Sequence, residues 1–343
     1  MLISETQSQP SREPCAKSTT IVVACASDAR YFVGLLTTIA SVYEQLDANE
    51  AARIYVLDCG LRAQQLKHLS RLSSTRMPNL ELRVAPFKHA GTFARNRKMS
   101  GSSAPYARVM LARLLADESR AIYLDVDTCV CSALGPLWRT DLAGCTAGAV
   151  VDPFIKVRAN DQPHSVILTE EERSAPYFNS GVMLIDLDAW RARNVEAKIL
   201  EHLDRHAGAM RFCDQTSLNQ VLCGDIHWLD ERYNFLVRHG RWQPAMTILH
   251  FVDNPKPWEV ANFHACYRPW YRVWVRWHLG HAATWWVVPW WNPLHFWLRP
   301  IFRNYVLGSK PFVSVCQLLM RLGLLRWIGL SEQKITSYTS LRR

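Results

Sequence analysis

Strand-length apolar runs alternate with helical patterns along the first two thirds of this chain. The pattern begins with an apolar run at residues 20–26, followed by a polar pair and an apolar-periodic stretch through residue 43. Because strands that alternate with helices form parallel βαβ units, the sequence predicts an α/β fold. Further strands are expected at residues 53–57, 80–84, 121–124, 144–151, 178–187 and 226–229, and helices at residues 63–73, 106–116, 190–206 and 214–222.

Composition indicates a globular protein and leaves the type of ligand open. The 343 residues are 49% hydrophobic and 20% charged, with a net charge of +10. That charge suits a nucleic acid, an anionic membrane or a phosphorylated ligand. The ten cysteines form no Cys-x-x-Cys pair, which is typical of reduced, buried thiols in a reducing compartment. Residues 1–18 are polar, which predicts a disordered leader without a secretory signal and a cytoplasmic location.

Two carboxylates one residue apart follow the strand expected at residues 121–124. They are Asp125 and Asp127, separated by Val126. Ligands of open α/β sheets bind outside the carboxyl ends of the strands. Hard cations such as Mg²⁺ or Mn²⁺ prefer carboxylate oxygens and can bridge them to phosphates. The pair therefore predicts a metal site, and the alternative is a solvated turn.

Three more polar positions lie at the ends of expected strands or at the start of a helix. Asp28 can contact a nucleotide base or ribose, or it can cap the following helix. Asn179 offers a donor and an acceptor to sugar hydroxyls, or it serves as a turn residue before Gly181. Asp214 begins a helix, where a carboxylate is also a common cap.

A short motif near residue 250 offers a third metal ligand and a cation. His250 follows a short apolar run and can bind a metal through a neutral imidazole nitrogen. Lys256 lies between two prolines and can place its charge against phosphate oxygens. The alternatives are a structural histidine and a rigid surface turn.

Taken together and in order, these motifs resemble glycosyltransferase family 8, the group that contains bacterial lipopolysaccharide galactosyl- and glucosyltransferases and the glycogenins. The resemblance covers about residues 21–258. It is carried by Ala26-Ser-Asp-x-x-Tyr31, Tyr106-Ala-Arg108, Tyr123-Leu-Asp-Val-Asp127, Phe178-Asn-Ser-Gly181-Val, Asp214-Gln215 and His250-x(5)-Lys256-Pro-Trp258.

The resemblance implies a GT-A type, Rossmann-like mixed sheet flanked by helices, and a retaining hexosyltransferase that uses a UDP-sugar and Mn²⁺ or Mg²⁺. Asp125, Asp127 and His250 would hold the metal. The nucleotide and donor sites would be formed by Ala26, Asp28, Tyr31, Arg108, Asp125, Asn179 and Lys256. Asp214 and Gln215 would act in catalysis at the donor sugar. Three residues depart from the family pattern. Arg30 leaves the base or ribose contact open, and Asp253 and Thr216 leave the donor sugar and the catalytic detail open.

The carboxyl-terminal part of the chain has a different texture. From residue 266 onward tryptophans, arginines and prolines are crowded together. We expect a disordered leader at residues 1–18, a glycosyltransferase domain at 19–265 and an aromatic, basic helical extension at 266–343. Tryptophan and arginine favour an anionic membrane surface, and residues 311–330 allow an interfacial amphipathic helix. One alternative is a short segment of residues 311–330 inserted into the membrane, although Arg321 and Arg326 argue against a full span. The other is a helical layer packed on the sheet, and nucleic-acid binding is not expected.

The sequence therefore predicts a transferase that works peripherally on the inner face of the plasma membrane. Its acceptor would be a saccharide or glycolipid, in bacterial lipopolysaccharide or surface polysaccharide synthesis. One rival is a sugar-nucleotide pyrophosphorylase, which needs a glycine-rich phosphate loop near the amino terminus that the sequence lacks. The other rival is a catalytically silent relative that binds a UDP-sugar or a membrane without turnover.

Overall fold

A computed structural model describes residues 19–88, 91–96, 98, 101–153, 176–206, 212, 214–237, 245–259, 262 and 265–278. The leader at residues 1–18 and the helix expected at residues 311–330 lie outside this set. No helix within these ranges has both the length and the apolar character that a bilayer crossing requires.

A seven-stranded mixed sheet forms the centre of the protein. Its strands are β1 (Thr19–Ser27), β2 (Glu50–Asp58), β3 (Leu80–Pro86), β4 (Arg120–Leu124), β6 (Ala147–Val151), β7 (Phe178–Asp186) and β8 (Ile226–Trp228). Their order across the sheet is β3-β2-β1-β4-β7-β6-β8. β7 runs antiparallel to both of its neighbours, and the other pairs are parallel. This is the Rossmann-like mixed sheet that the family resemblance implies.

A second sheet of three short strands lies beside the end of β4. It contains β5 (Thr128–Val130), β9 (Phe235–Leu236) and β10 (Ile248–His250), in the order β5-β10-β9. β10 is antiparallel to β5 and parallel to β9. Because β5 begins directly after Asp127, this sheet places a distant part of the chain beside the two carboxylates.

Helices cover both faces of the large sheet. They are α1 (Phe32–Glu44), α2 (Ala63–Arg76), α3 (Leu111–Leu114), α4 (Gly135–Trp138), α5 (Leu187–Ala192), α6 (Val195–Arg205), α7 (Asp214–Val221) and α8 (Arg268–His278). Alternate residues of β1 divide between two apolar cores, because side chains along a strand point to opposite faces. Ile21, Val23 and Cys25 join the core under α1, α2 and α8. Val22 and Ala24 join the core under α3, α5, α6 and α7.

The beginning of the aromatic, basic extension packs on the same core as α1. Trp270, Trp274 and Trp277 of α8 are all at least nine-tenths buried. The indole nitrogen of Trp277 donates to Oε1 of Glu44 at 2.8 Å, and the ring lies under the guanidinium of Arg76. The tryptophans were expected either at a membrane surface or in a helical layer packed on the sheet. Those of residues 268–278 are packed on the sheet layer.

Two expected helices have a different form in the structure. The helix expected at residues 106–116 is a 3-10 helix, Ala104–Met110, followed by the single turn of α3. The helix expected at residues 190–206 is two helices, α5 and α6, separated at Asn194, whose φ is +53°. Asparagine tolerates this left-handed conformation better than most residues, so the break is locally encoded.

Candidate metal and sugar-nucleotide site

Asp125, Asp127 and His250 come together at the carboxyl end of β4. One ligand atom from each of them lies within 4.8 Å of the other two. Nε2 of His250 is 3.2 Å from Oδ1 of Asp127 and 3.9 Å from Oδ2 of Asp125. The imidazole is 3% exposed, so its nitrogen faces the carboxylates and not bulk solvent.

Backbone pairing explains why these distant residues meet. In the antiparallel pair of β5 and β10, Thr128 lies opposite His250, which brings His250 next to the residue after Asp127. The amide of Phe251 also donates to the carbonyl of Asp127 at 2.9 Å. Gly181 of β7 supplies the necessary space. A Cβ there would overlap the His250 ring and lie 2.8 Å from Oδ2 of Asp125.

Lys256 is the cation next to Asp127. Its ammonium lies 2.7 Å from Oδ2 of Asp127 and also donates to the carbonyls of Phe251 and Val252, at 2.8 and 3.1 Å. This partner keeps the pKa of the buried Asp127 carboxyl below its usual range, against the effect of burial. One oxygen of Asp127 therefore faces Lys256 and the other faces His250.

Arg108 is the cation next to Asp125, and it also contacts Asp214. Nη2 of Arg108 is 3.0 Å from Oδ1 of Asp125, and Nε is 2.8 Å from Oδ2 of Asp214. Tyr123 also donates to Asp125, at 3.1 Å, and its ring lies against the guanidinium. Burial raises the pKa of Asp214 to about 6, although the Arg108 charge opposes the rise.

Gln215 contacts this cluster through Ser180. The side-chain oxygen of Gln215 accepts from the amide and the hydroxyl of Ser180, at 3.0 and 3.2 Å. The guanidinium of Arg108 donates to the same hydroxyl at 3.2 Å. The two expected catalytic residues, Asp214 and Gln215, thus lie in one hydrogen-bonded group with Arg108.

A cleft connects the carboxylates to the end of β1. Its walls are formed by Ala26, Ser27, Tyr31, Ser102, Ala104, Pro105, Arg108, Tyr123, Asp125, Val126, Asp127, Val252, Asn254 and Lys256. Five of the seven residues expected to form the nucleotide and donor sites line this cleft: Ala26, Tyr31, Arg108, Asp125 and Lys256. Asp28 lies beside it, and Oδ1 of Asp28 accepts from the amides of Arg30 and Tyr31 at the start of α1. These bonds close the turn before the helix. The N-cap residue of α1 is Tyr31, which makes no side-chain capping bond, so Asp28 does not have the capping role that was its alternative.

Asn179 has a buried position that the sequence did not indicate. Its amide group donates to Asp152 at 3.2 Å and accepts from the amide of Gly181 at 3.0 Å. Asn234 donates to the same oxygen of Asn179 at 3.0 Å. Asn179 thus lies behind the carboxylates, 7% exposed, within a network of amides.

Helix α1 holds the backbone of the two-carboxylate loop, a contact that sequence motifs did not reveal. The hydroxyl of Thr38 donates to the carbonyls of Val126 and Thr128, at 3.2 and 2.9 Å. A Cβ at Gly34 would overlap the Val126 carbonyl and lie 2.7 Å from the Trp258 ring. Only the spacing of Gly34 and Thr38, one helical turn apart, could have suggested this face.

The three side chains fit a divalent cation. Two carboxylates and an imidazole are ligands for which Mg²⁺, Mn²⁺ and similar ions compete. Gly181 leaves room where any larger residue would fill the space between His250 and Asp125. Three protein ligands also leave positions for oxygen atoms of a substrate.

A mixed GT-A type sheet, a cleft at its carboxyl edge and an Asp-x-Asp pair with a histidine define a class of enzymes, the glycosyltransferases. The chain belongs to one family of this class: the family described as Glycosyl transferase family 8 matches residues 22–261. This match confirms the family resemblance.

Curated relatives and solved structures agree with this assignment. General stress protein A of Bacillus subtilis is 26% identical over 268 residues, which are 71% of this chain and 88% of that protein. Glycosyltransferase GlyF of Streptococcus pneumoniae is 25% identical, over 73% of this chain and 60% of that protein. The galactosyltransferase LgtC, crystallised with donor and acceptor sugar analogues, superposes with a TM-score of 0.63 at 23% identity, over 75% of this chain and 96% of LgtC. The LgtC likeness concerns the fold.

Proposed function

We propose that this protein transfers a hexose from a UDP-sugar to a saccharide or glycolipid acceptor, with retention at the anomeric carbon and with Mn²⁺ or Mg²⁺ bound. The main support is that one cleft joins the carboxyl end of β1, where the nucleotide would bind, to Asp125, Asp127 and Lys256. A UDP-sugar has the same layout, with its diphosphate between the nucleoside and the sugar.

The cations of the site support a step in which UDP departs. A bound divalent cation supplies positive charge beside the diphosphate. Lys256 and Arg108 add two charges that the protein holds in place before the reaction, since both are nearly buried and hydrogen-bonded. Fixed charges of this kind stabilise a developing anion without reorganisation.

The proposed transfer needs no nucleophile from the protein. The bond between the anomeric carbon and the phosphate oxygen breaks, and the acceptor oxygen forms its bond on the same face. The leaving phosphate oxygen takes the acceptor proton. The amide oxygen of Gln215 would stabilise positive charge near the anomeric carbon, and Ser180 fixes the direction of that oxygen. Asp214 would keep Arg108 in place beside Asp125.

The direct test is metal-dependent release of UDP from a panel of UDP-sugars. We expect Asp127→Ala to reduce turnover by about 10³-fold, because it removes a ligand from the charge-stabilising centre. The matched control is Asp204→Ala, which removes an exposed carboxylate on α6. Equal turnover in wild type and Asp127→Ala would reject the metal assignment. UDP-sugar binding without turnover in the wild type would identify the catalytically silent relative.

Product analysis extends the same experiment to the acceptor. Membrane glycolipids and soluble oligosaccharides would be offered with the preferred donor, and the linkage would be determined by NMR. The proposal of bacterial lipopolysaccharide or surface polysaccharide synthesis predicts transfer to acceptors of that chemistry. Transfer to protein alone would contradict it.

The exposed face of α8 supports an anionic membrane surface as a partner on the cytoplasmic side. Arg268, Arg272 and Arg276 are exposed on this helix together with Val275. Their spacing of four residues places the three cations on one face. Each basic residue near an anionic membrane contributes about 1 kcal/mol to binding.

Liposome sedimentation tests this surface without disturbing the core. We expect Arg268→Gln with Arg272→Gln to weaken binding to anionic vesicles by about 30-fold, at about 1 kcal/mol per arginine. The control pair, Lys198→Gln with Arg205→Gln, removes the same charge from α6 on the opposite face of the sheet. Equal binding by both double variants would contradict a membrane role for α8.

A further inference from the structure

A chain of buried side chains connects His250 to Asp152. Nδ1 of His250 is 2.9 Å from Oδ1 of Asn234. Nδ2 of Asn234 donates to Oδ1 of Asn179 at 3.0 Å, and Nδ2 of Asn179 donates to the Asp152 carboxylate at 3.2 Å. All four side chains are less than 9% exposed, so water does not compete for these hydrogen bonds.

The backbone of Gly181 fixes the direction of every bond in this chain. Its N–H can only donate, and it donates to the Asn179 side chain at 3.0 Å, so that atom is the amide oxygen. Asn234 must then present its NH₂ group to Asn179. Its own oxygen therefore faces His250.

The orientation of Asn234 determines which nitrogen of His250 carries the proton. An amide oxygen only accepts, so Nδ1 of His250 must be the N–H that faces it. Nε2 of the neutral ring then carries a lone pair, and this atom lies 3.2 Å from Asp127 Oδ1. With the other tautomer, two lone pairs would oppose each other at Asn234 and Nε2 could not bind a cation.

We propose that Asn234 is a positioning residue that holds His250 in the tautomer required of a metal ligand. This inference rests on the proposed metal site. Neither Asn234 nor its role follows from any motif in the sequence. The residue precedes β9, and the parallel pairing of β9 with β10 brings it beside His250.

Direct Mn²⁺ binding, measured from the signal of free Mn²⁺ in electron paramagnetic resonance, tests the proposal without turnover. We expect Asn234→Ala to weaken Mn²⁺ binding by about 10- to 100-fold, the usual effect of removing the hydrogen-bond partner of a ligating histidine. The matched control is Asn96→Ala, which removes another buried asparagine whose amide donates to the carbonyl of Leu203. Its Mn²⁺ affinity should equal that of the wild type.

A double-mutant cycle shows whether Asn234 acts through His250. In a His250→Ala background, adding Asn234→Ala should change the Mn²⁺ affinity by less than about twofold, because the coupled partner is already gone. An equally large loss in both backgrounds would indicate general damage to the site and would overturn the proposal. So would a wild-type affinity in Asn234→Ala.

Nitrogen-15 NMR of the metal-free wild type provides a readout that needs no asparagine variant. The His250 signals, assigned by their loss in His250→Ala, should show a protonated Nδ1, because the Asn234 oxygen that faces this nitrogen can only accept. An unprotonated Nδ1 would overturn the proposal even if Asn234→Ala failed to fold. Absence of Mn²⁺ binding in the wild type would instead reject the metal site itself, so the two failures are distinguishable.

Discussion

Asp125 and Asp127 are one residue apart, yet they belong to two different halves of the molecule. Asp125 directly follows strand β4 of the large sheet, and its cation is Arg108 from the 3-10 helix. Asp127 leads into β5 of the small sheet, and its cation is Lys256, six residues after the end of β10. Each half therefore contributes one carboxylate and one cation to the cleft.

The two cations are used differently. Lys256 serves one carboxylate and two carbonyls, so its effect is local. Arg108 serves two carboxylates, Asp125 and Asp214, and thereby links the metal side of the cleft to the proposed catalytic side. We therefore expect removal of Arg108 to affect the proposed catalytic residues as well as Asp125. The size of this effect should depend on pH, because burial raises the pKa of Asp214 to about 6.

The largest effect on Mn²⁺ binding is expected where the two halves touch. Gly181→Ala should abolish detectable Mn²⁺ binding and destabilise the fold by about 1–3 kcal/mol, because the new methyl group would overlap His250 and press on Asp125. Calorimetric Mn²⁺ titration and denaturant unfolding measure both effects. The control is Gly91→Ala, whose Cβ would meet nothing within 4 Å. Normal Mn²⁺ affinity in Gly181→Ala would show that the halves are not in close contact.

Removal of each cation should distinguish the two halves. We expect Arg108→Met to lower the free energy of unfolding by about 3–5 kcal/mol at pH 8, because it leaves the buried Asp214 without its counter-ion. The cost should be smaller at pH 5.5. Without Arg108 the pKa of Asp214 rises further above its unfolded value, so the carboxyl takes a proton at low pH and the buried charge disappears.

Lys256→Met is the comparison variant for this measurement. In the wild type, the pKa of Asp127 is held below its usual range, so the stabilisation from its ion pair is fully present above the unfolded pKa and is lost only at more acidic pH. Denaturant unfolding at pH 5.5 and 8 should therefore show the larger pH dependence in Arg108→Met. The reverse order would contradict the assignment of Asp214 to the Arg108 half.

Activity should also report on Asp214. Its pKa is raised to about 6 by burial, so we expect kcat/KM for the UDP-sugar to fall as the pH is lowered through about 6. Protonation removes the charge that holds Arg108 in place. Asp214→Asn should lower kcat/KM at pH 8 and lose this acidic limb, whereas the exposed control Asp204→Asn should keep it. An unchanged limb in Asp214→Asn would assign it to another group.

The smallest effect concerns the support behind both halves. Thr38→Val should destabilise the protein by about 1–2 kcal/mol, because it leaves the carbonyls of Val126 and Thr128 without this donor. The matched control, Thr37→Val, removes a buried hydroxyl that bonds only within α1, to Val33. The two variants are compared by the midpoint temperature of thermal unfolding. Equal decreases in this temperature would contradict a specific role of Thr38 in holding the carboxylate loop.

Much of the fold could be predicted because the apolar pattern of each segment agrees with the place of that segment in the sheet. Strand-length apolar runs and the order of the motifs indicated the large sheet, and the family match confirms the assignment. The 3-10 form of Ala104–Met110 was not predicted, since the apolar spacing there also fits an α-helix. The meeting of Asp125 and Asp127 with His250 was inferred from the family resemblance, because the pairing of β5 with β10 joins segments more than 100 residues apart.

Residues that support the site were harder to find. Thr38 and Asn234 carry no motif, and their contacts with the carboxylate loop and with His250 exist only in three dimensions. For Asn179 the sequence indicated a side chain that faces the donor. The structure places its amide in a buried network, which a single sequence cannot distinguish from an exposed position beside Gly181.

Helix α8 gives the folding unit a boundary that differs from the boundary of the family match. The match ends at residue 261, whereas Trp270, Trp274 and Trp277 lie in the same core as α1. α1 is also the helix whose Thr38 bonds to the backbone of the loop that carries Asp125 and Asp127. A chain shortened to residue 265 would lose one wall of that core, so the smallest fragment expected to express as a stable enzyme extends at least to residue 278.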